Sequence, residues 1–345
     1  MIERIPIFLI SDERYAPCLS VAMLSCMQTT KHALDFIVLD GGITTSTRQM
    51  LQDMVQQHGN CSLEFYRVET SLFESMPDIG HFSRHCYYRY LIPQIKPDIK
   101  KALYIDSDIL VMSDIAELYN TSLEGHALGA VPYSYEKMPR NAATEGHKNW
   151  VRDLKLKIGL PDNHVYFNSG ILVLNCEEMR TRGWVPRLFE LTNEKAALLE
   201  CPDQDILNLL CAETGGYCML QDSWNVAVDI DIDLGIQYNT PPHLLHFTGG
   251  RRMRPWISFG CPWEAEYWNV AQQSPLAERM QRERIESEFT NQNKVLATLV
   301  ESDIQLRRNR IIRFFLWLGG KHSQNRRLLA ELRKLQKTMS TPFRK

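Results

Sequence analysis

A chain of 345 residues with 44% hydrophobic content is long enough to bury one large α/β domain or two smaller ones. Its formal net charge of -2 argues against polyanion binding over the whole surface, but from Ile304 onward 12 Lys or Arg stand against the one acid Glu331, leaving the preceding part acidic. Nine cysteines without a CxxC pair argue against a disulfide framework or zinc site and fit a reducing compartment, and no run of about 18 apolar residues is present to span a membrane.

The N-terminal MIERIPIFLISDERY carries an apolar run too short for a signal-peptide core and leads straight into a strand pattern, Ile5–Ile10. Ser11–Tyr15 then forms a polar loop before an apolar-periodic helix, Ala16–Met27. Open α/β sheets bind ligands at the carboxyl ends of their strands, so Asp12 is either a helix N-cap or a contact to a nucleotide base or ribose. Phe36–Leu39 reads as a second strand, Thr44–Gln57 as a helix opened by Thr and Ser caps, and Ser62–Val68 as a third strand. That succession is the βαβ rhythm of a parallel sheet with right-handed crossovers. Next, HFSRHCYYRY precedes LIPQIKP, placing Arg89 in an aromatic helix that Pro93 cannot extend far beyond. A buried Arg89 needs an anionic partner, expected in the carboxylates that follow; the alternative is a solvated Arg89 on an amphipathic helix.

Lys101–Met112, KALYIDSDILVM, is an apolar run broken once by Asp106-Ser107-Asp108. Side chains two apart on an extended segment share a face, which turns Asp106 and Asp108 toward one pocket and Ser107 away. Two ionised carboxylates in a buried strand need compensation, and a divalent cation carrying phosphates suits them. The alternative is that Asp106 ends a strand and Asp108 caps a turn. Asp114–Tyr119 looks like a short capped helix and Leu128–Val131 a strand, while Ser134–Leu160 is polar, either a mobile excursion or a short helical insert. Tyr166–Asn175, YFNSGILVLN, is a second central strand, whose Asn168 either caps a turn or offers an amide to a sugar hydroxyl.

Helical patterns run over Cys176–Leu199 and again from Pro202, where Asp203 can cap the helix and Gln204 sits in its first turn. His243–Phe247 is a further strand, followed by the glycines and arginines of 249–254 and by Pro255-Trp256. Glycines let the backbone approach an anion, while arginines and His246 supply positive charge or a metal ligand. A lone His at a strand end is more often structural; beside two carboxylates and a Gly-Arg loop it becomes a third ligand. In the tail, RIIRFFLWL and the helically spaced Leu328, Leu329, Leu332 and Leu335 read as basic amphipathic helices for an anionic membrane surface, with packing on the domain or an oligomer contact as alternatives. No nucleic-acid module appears, and no nucleic-acid partner is expected.

Taken in order, these motifs resemble glycosyltransferase family 8, retaining enzymes of the GT-A fold, over about residues 5–260. The resemblance implies an α/β fold class: a GT-A fold with a Rossmann-like mixed sheet flanked by helices and a basic helical C-terminal tail. Residues 1–275 would form the catalytic domain and 276–345 a basic amphipathic region contacting the cytoplasmic face of the cell membrane. It further implies transfer of galactose or glucose from a UDP-sugar to a glycan or glycolipid such as lipopolysaccharide core, with Mn²⁺ or alternatively Mg²⁺. By resemblance the metal falls to Asp106, Asp108 and His246, and the nucleotide and diphosphate to Ser11, Asp12, Tyr15, Ser107, Gly249 and Arg254. By the same resemblance the loop is two residues longer than in bacterial relatives, so Arg251 and Arg252 compete with Arg254. Donor-sugar contacts fall on Arg89, Asn168, Ser169, Asp203 and Gln204, acceptor contacts on His81 and Ser83, and the catalytic roles on Gln204 and Asp203. An amide oxygen is weakly basic, so front-face transfer is expected, with Gln204 orienting the sugar rather than attacking it. Two rival readings are a nucleotide-sugar-binding protein without turnover, and a haloacid-dehalogenase-type phosphohydrolase. The latter expects its DxD directly after the first strand, whereas here it follows about a hundred residues of βαβ pattern.

Overall fold

The strand that begins the chain's core, β1 (Arg4–Ser11), is buried on both faces: Ile7 and Leu9 enter one apolar cluster and Phe8 the opposite one. The computed structural model describes residues 4–79, 83–133, 142–228, 241–248, 255–257, 263–290 and positions 301, 305, 309 and 310. Among these, β2 (Ala33–Asp40), β3 (Ser62–Arg67) and β4 (Lys101–Ile105) join β1 in parallel, within a seven-stranded sheet whose order β3-β2-β1-β4 continues through three further strands. β2 begins before the Phe36 that its apolar pattern marks, because Ala33, Leu34 and Asp35 pair with Arg4, Ile5 and Pro6 of β1. β7 (Phe167–Asn175) runs antiparallel to both β4 and β6 (Leu128–Pro132), and β8 (Cys218–Met219) closes the edge. The sheet is therefore mixed, as the α/β reading expects.

Lys101–Met112 is not one interrupted strand. β4 ends at Ile105, and β5 (Ile109–Val111) belongs to a second, three-stranded sheet with β9 (Val226–Ala227) and β10 (Leu244–His246), in the order β5-β10-β9. Asp106-Ser107-Asp108 is the hand-over between the two sheets. α1 (Ala16–Thr29) is buried from Ala16 to Met27 because it packs on both: Leu19, Met23 and Cys26 lie in the large sheet's cluster, Cys18 and Val21 in the small sheet's. The Ser25 hydroxyl inside it accepts the Val111 N–H at 3.1 Å and so fixes β5.

α2 (Thr45–Gln56) is capped by Thr44, whose side chain accepts the Thr47 N–H at 3.3 Å. The aromatic stretch Arg84–Leu91 is a 3-10 helix rather than an α-helix, and α3 (Ile92–Ile95) follows with Pro93 in its first turn, where a missing N–H costs nothing. Asp114 caps α4 (Ile115–Tyr119) through the Ala116 N–H at 3.0 Å. The polar excursion carries a 17-residue helix, α5 (Ala142–Ile158), so the helical alternative holds there, while 134–141 lie outside the described residues. The helical pattern after Cys176 is split into α6 (Cys176–Thr181) and α7 (Trp184–Lys195) by Gly183, whose φ of 66° is left-handed and ends the first helix. α8 is Pro202–Glu213.

By contacts the chain divides into the units Met1–Arg284 and Ile285–Lys345. Residues 276–284 thus belong with the first unit, where Leu276 and Met280 are buried. In the second unit, 285–290 are helical with Ile285 and Phe289 exposed, and most of the basic tail lies outside the described residues. Among the described residues no helix is long and apolar enough to cross a membrane.

Candidate active site

From β1 the chain moves to β2 and β3 on one side and returns to β4 on the other, so a crevice opens at the carboxyl ends of β1 and β4. A cavity of about 180 Å³ occupies it, lined among others by Ser11, Asp12, Tyr15, Ser83, Arg89, Tyr104 and the Asp106–Asp108 link. Ser107 turns from the two carboxylates and donates to the Ile10 carbonyl at 2.6 Å, tying the link to β1. Asp12 Oδ1 accepts the Tyr15 N–H at 2.9 Å, closing the turn before α1; the N-cap position itself is held by Tyr15. Burial pushes the Tyr15 phenol up to about 12, so it stays a neutral donor. Ser83 caps the 3-10 helix, accepting the His85 N–H at 3.3 Å.

Strand pairing assembles the charged centre. Antiparallel pairing of β4 with β7 sets Asp106 beside Gly170, whose carbonyl accepts the Asp106 N–H at 2.8 Å. Pairing of β5 with β10 sets His246 opposite Ile109, and the Phe247 N–H donates to the Asp108 carbonyl at 2.9 Å. His246 Nε2 then lies 3.3 Å from Asp108 Oδ1 and 3.6 Å from Asp106 Oδ2. One ligand atom from each of the three residues falls within 4.8 Å of the others. Arg89 is buried beneath them: Nη2 reaches Asp106 Oδ1 at 3.2 Å, Nε reaches Asp203 Oδ2 at 3.0 Å, and Nη1 donates to the Ser169 hydroxyl and carbonyl at 2.9 and 2.8 Å. The Tyr104 hydroxyl also donates to Asp106, and its ring lies 4.3 Å from the Arg89 guanidinium. Burial pushes the Asp203 carboxyl up, against the pull of Arg89. Asp203 does not cap α8; its carboxylate is turned to Arg89 and to Ser169 Oγ at 3.1 Å.

A chain of side-chain hydrogen bonds runs from α8 to His246, and its polarity is fixed throughout. The Tyr166 hydroxyl donates to Asp205 and accepts from Gln204 Nε2 at 3.0 Å. Gln204 Oε1 accepts from Asn168 Nδ2 at 2.9 Å and the Ser169 N–H at 3.1 Å. Asn168 Oδ1 accepts from Asn225 Nδ2 at 2.9 Å, which leaves Asn225 Oδ1 as the acceptor for His246 Nδ1 at 2.8 Å. His246 therefore carries a proton on Nδ1 and turns Nε2 toward the two carboxylates. Burial opposes a second proton there, but Asp108 and Asp106 prevail and hold the imidazole above its usual pKa. Two carboxylates and an imidazole nitrogen converging in this way fit a divalent cation, which would displace the proton from Nε2.

Gly170 leaves room for this arrangement. A Cβ placed on it would lie 2.2 Å from His246 Cε1 and 2.8 Å from Asp106 Oδ2. Gly170→Ala is expected to move the imidazole and weaken divalent-cation binding by about 10–100-fold with an unchanged far-UV circular dichroism spectrum. Calorimetric titration with Mn²⁺ checks this; wild-type affinity would show that His246 is not held as described.

Arg89, Asp106, Asp108, Asn168, Ser169, Asp203, Gln204 and His246 thus form one connected cluster. Ser11, Asp12, Tyr15, Ser83 and Ser107 line or border its cavity, while His81, Gly249, Arg251, Arg252 and Arg254 lie outside the described residues. The sequence reading missed Tyr104, Tyr166, Asp205 and Asn225. Asn225 closes a 3-10 turn ahead of a two-residue strand, and no local pattern marks it.

The comparisons with known proteins agree with this geometry. Residues 6–260 match the model of "Glycosyl transferase family 8". The chain is 27% identical over 278 residues to general stress protein A of Bacillus subtilis strain 168, covering 75% of this chain and 90% of that one. It is 23% identical over 270 residues to the lipopolysaccharide 1,2-glucosyltransferase of Escherichia coli K12, covering 75% of each. Among solved structures it is similar to the galactosyltransferase LgtC in complex with donor and acceptor sugar analogues, with a TM-score of 0.65 and 25% identity over 79% of this chain and 96% of that one. With the mixed sheet, the crevice and the Asp-Asp-His cluster already in place, the chain belongs to glycosyltransferase family 8 and is a glycosyltransferase of the GT-A fold.

Proposed function

We propose that the protein transfers a hexose, galactose or glucose, from a UDP-sugar to a surface-glycan acceptor of the lipopolysaccharide core class, with retention of anomeric configuration and with Mn²⁺ as cofactor. The observation that carries the reading is His246 Nε2 set against Asp106 and Asp108 at the mouth of the β1/β4 crevice. The named activities of the glucosyltransferase and galactosyltransferase relatives favour a hexose donor.

In this reading Asp106, Asp108 and His246 hold the cation, which when bound supplies positive charge to the diphosphate leaving group. Ser11, Asp12, Tyr15 and Ser107 border the nucleotide, and Gly249 and Arg254 serve the diphosphate. Arg89 has every guanidinium nitrogen engaged by protein groups, so its main work is to fix Asp106, Asp203 and Ser169 around the sugar. Asp203, Gln204 and Asn168 orient the hexose and steady oxocarbenium charge. Gln204 Oε1 already accepts two hydrogen bonds, which leaves it no lone pair for attack and favours front-face transfer. His81 and Ser83 are assigned to the acceptor. The catalytic assignment of residues 1–275 extends to Arg284, since 276–284 belong to the same unit, and the tail beyond is assigned to contact with the inner face of the cell membrane, since its basic, apolar-striped sequence suits anionic lipid.

The test is UDP release by the purified protein from a panel of nucleotide sugars, with Mn²⁺ and then with EDTA. Slow Mn²⁺-dependent release from UDP-galactose or UDP-glucose is the expected result and names the donor. Release unaffected by EDTA would overturn the cation assignment. Mn²⁺-dependent UDP binding without turnover, even with lipopolysaccharide core supplied as acceptor, would leave the protein a nucleotide-sugar binder.

A further inference from the structure

The loop after β1 and the segment after β10 are far apart in sequence, yet one helical turn joins them. Residues 277–290 are helical, and Arg279 and Glu283, both within the unit Met1–Arg284, stand four apart on one face. Arg279 Nη1 donates to Glu13 Oε1 at 2.8 Å, and Nη2 donates to the Glu13 backbone carbonyl at 3.0 Å. Arg279 Nε donates to Glu283 Oε1 at 3.1 Å. Glu283 Oε2 accepts the indole N–H of the fully buried Trp256 at 2.8 Å. At the other end Glu13 also accepts the Thr44 N–H at 2.9 Å and the Thr47 hydroxyl at 3.0 Å, which anchors it to the start of α2.

The ladder Glu13–Arg279–Glu283–Trp256 therefore spans the two stretches that border the nucleotide. Glu13 sits between Asp12 and Tyr15, which line the cavity. Trp256 follows Arg254-Pro255, the stretch assigned to the diphosphate. Neither Arg279 nor Glu283 lines the cavity, and both lie beyond the 6–260 region that matches the family. The side chains of Glu13 and Arg279 are about one-third exposed, so as a plain ion pair the contact adds little to stability. What the ladder does supply is geometry. Arg279 spends all three guanidinium nitrogens on one planar arrangement, which a lysine cannot reproduce.

We propose that Arg279 and Glu283 are positioning residues that brace the nucleotide-binding loop 11–15 against Pro255–Ile257, so that affinity for the nucleoside diphosphate half of the donor depends on this ladder. The proposal rests on the UDP-sugar reading above. Without the brace, loop 11–15 samples other conformations and binding must re-order it at an entropic cost.

The experiment uses the full chain and titrates UDP in the presence of Mn²⁺ into wild type, Arg279→Ala, Arg279→Lys, Glu283→Gln and Asp108→Ala, with amide hydrogen exchange over 11–15. Arg279→Ala is expected to raise the UDP dissociation constant about tenfold, as re-ordering the released loop on binding would cost. Arg279→Lys should recover only part of that, the 11–15 amides should exchange faster, and Mn²⁺ affinity without UDP should be unchanged. Should Arg279→Ala fail to fold, Glu283→Gln, which keeps an acceptor but loses the charge, must still weaken UDP binding. A lowered melting temperature with unchanged UDP affinity and unchanged exchange in 11–15 would make the ladder merely structural and overturn the brace. UDP binding by Asp108→Ala at wild-type strength would instead overturn the Mn²⁺–UDP reading on which the brace stands.

Discussion

Asp108→Ala is expected to abolish Mn²⁺-dependent UDP binding while leaving the fold intact. Asp108 contributes one of the two carboxylates that face His246 Nε2, at 3.3 Å, and its side chain is 19% exposed, so the truncation opens no sealed core. The bond that holds the β5–β10 corner in place here, from the Phe247 N–H to the Asp108 carbonyl, is a backbone bond and survives. Losing a ligand should cost more than the 10–100-fold typical of outer partners, so a weakening of at least about 100-fold is expected. Asp106→Ala is the less informative change. Asp106 Oδ1 also accepts from Tyr104 and Arg89, and removing it strands part of a buried guanidinium, a structural penalty that would obscure the cation's share. Isothermal titration of UDP with and without Mn²⁺, alongside circular dichroism, decides the matter; equal affinities in wild type and Asp108→Ala would end the metal assignment.

Much of this centre was legible in the chain because its residues sit where apolar runs stop. Asp106 directly follows β4, Asn168 and Ser169 open β7, and His246 ends β10, so a strand pattern with a polar break marked each. What the runs do not show is which sheet a strand joins. Ile109–Val111 is as apolar as Ala102–Ile105, and only the pairing of Val111, Leu110 and Ile109 with Leu244, Leu245 and His246 takes it into the second sheet. The polar chain behind His246 was hidden for a related reason. Asn225 and Tyr166 belong to separate local patterns, and they acquire a role only when β9 pairs with β10 and α8 packs beneath β7. Asp203 misled in the opposite direction: an acid in a first helical turn reads as a cap, but its carboxylate is taken by Arg89, 114 positions earlier in the chain. Long-range partners decide such cases, and a linear pattern carries no record of them.

Gln204→Ala is expected to separate binding from turnover. The Gln204 amide is 7% exposed and held at both ends, its oxygen by Asn168 and Ser169 and its Nε2 by Tyr166. None of the cation's candidate ligands touches it directly, so Mn²⁺ and UDP-sugar binding should stay within about threefold of wild type, whereas turnover should fall on the order of 100-fold, as when a preorganised dipole at a developing charge is removed. The truncation also releases Asn168, the link to Asn225 and His246, which could loosen the imidazole. Measuring Mn²⁺ affinity in the same variant separates that indirect route: loss of turnover with intact Mn²⁺ and UDP-sugar binding assigns the effect to the sugar's transition state, and parallel loss of all three assigns it to the hydrogen-bond chain. Near-normal turnover would remove Gln204 from the mechanism. It would move the burden of steadying oxocarbenium charge to Asp203, the carboxylate that Arg89 already holds in the same cluster.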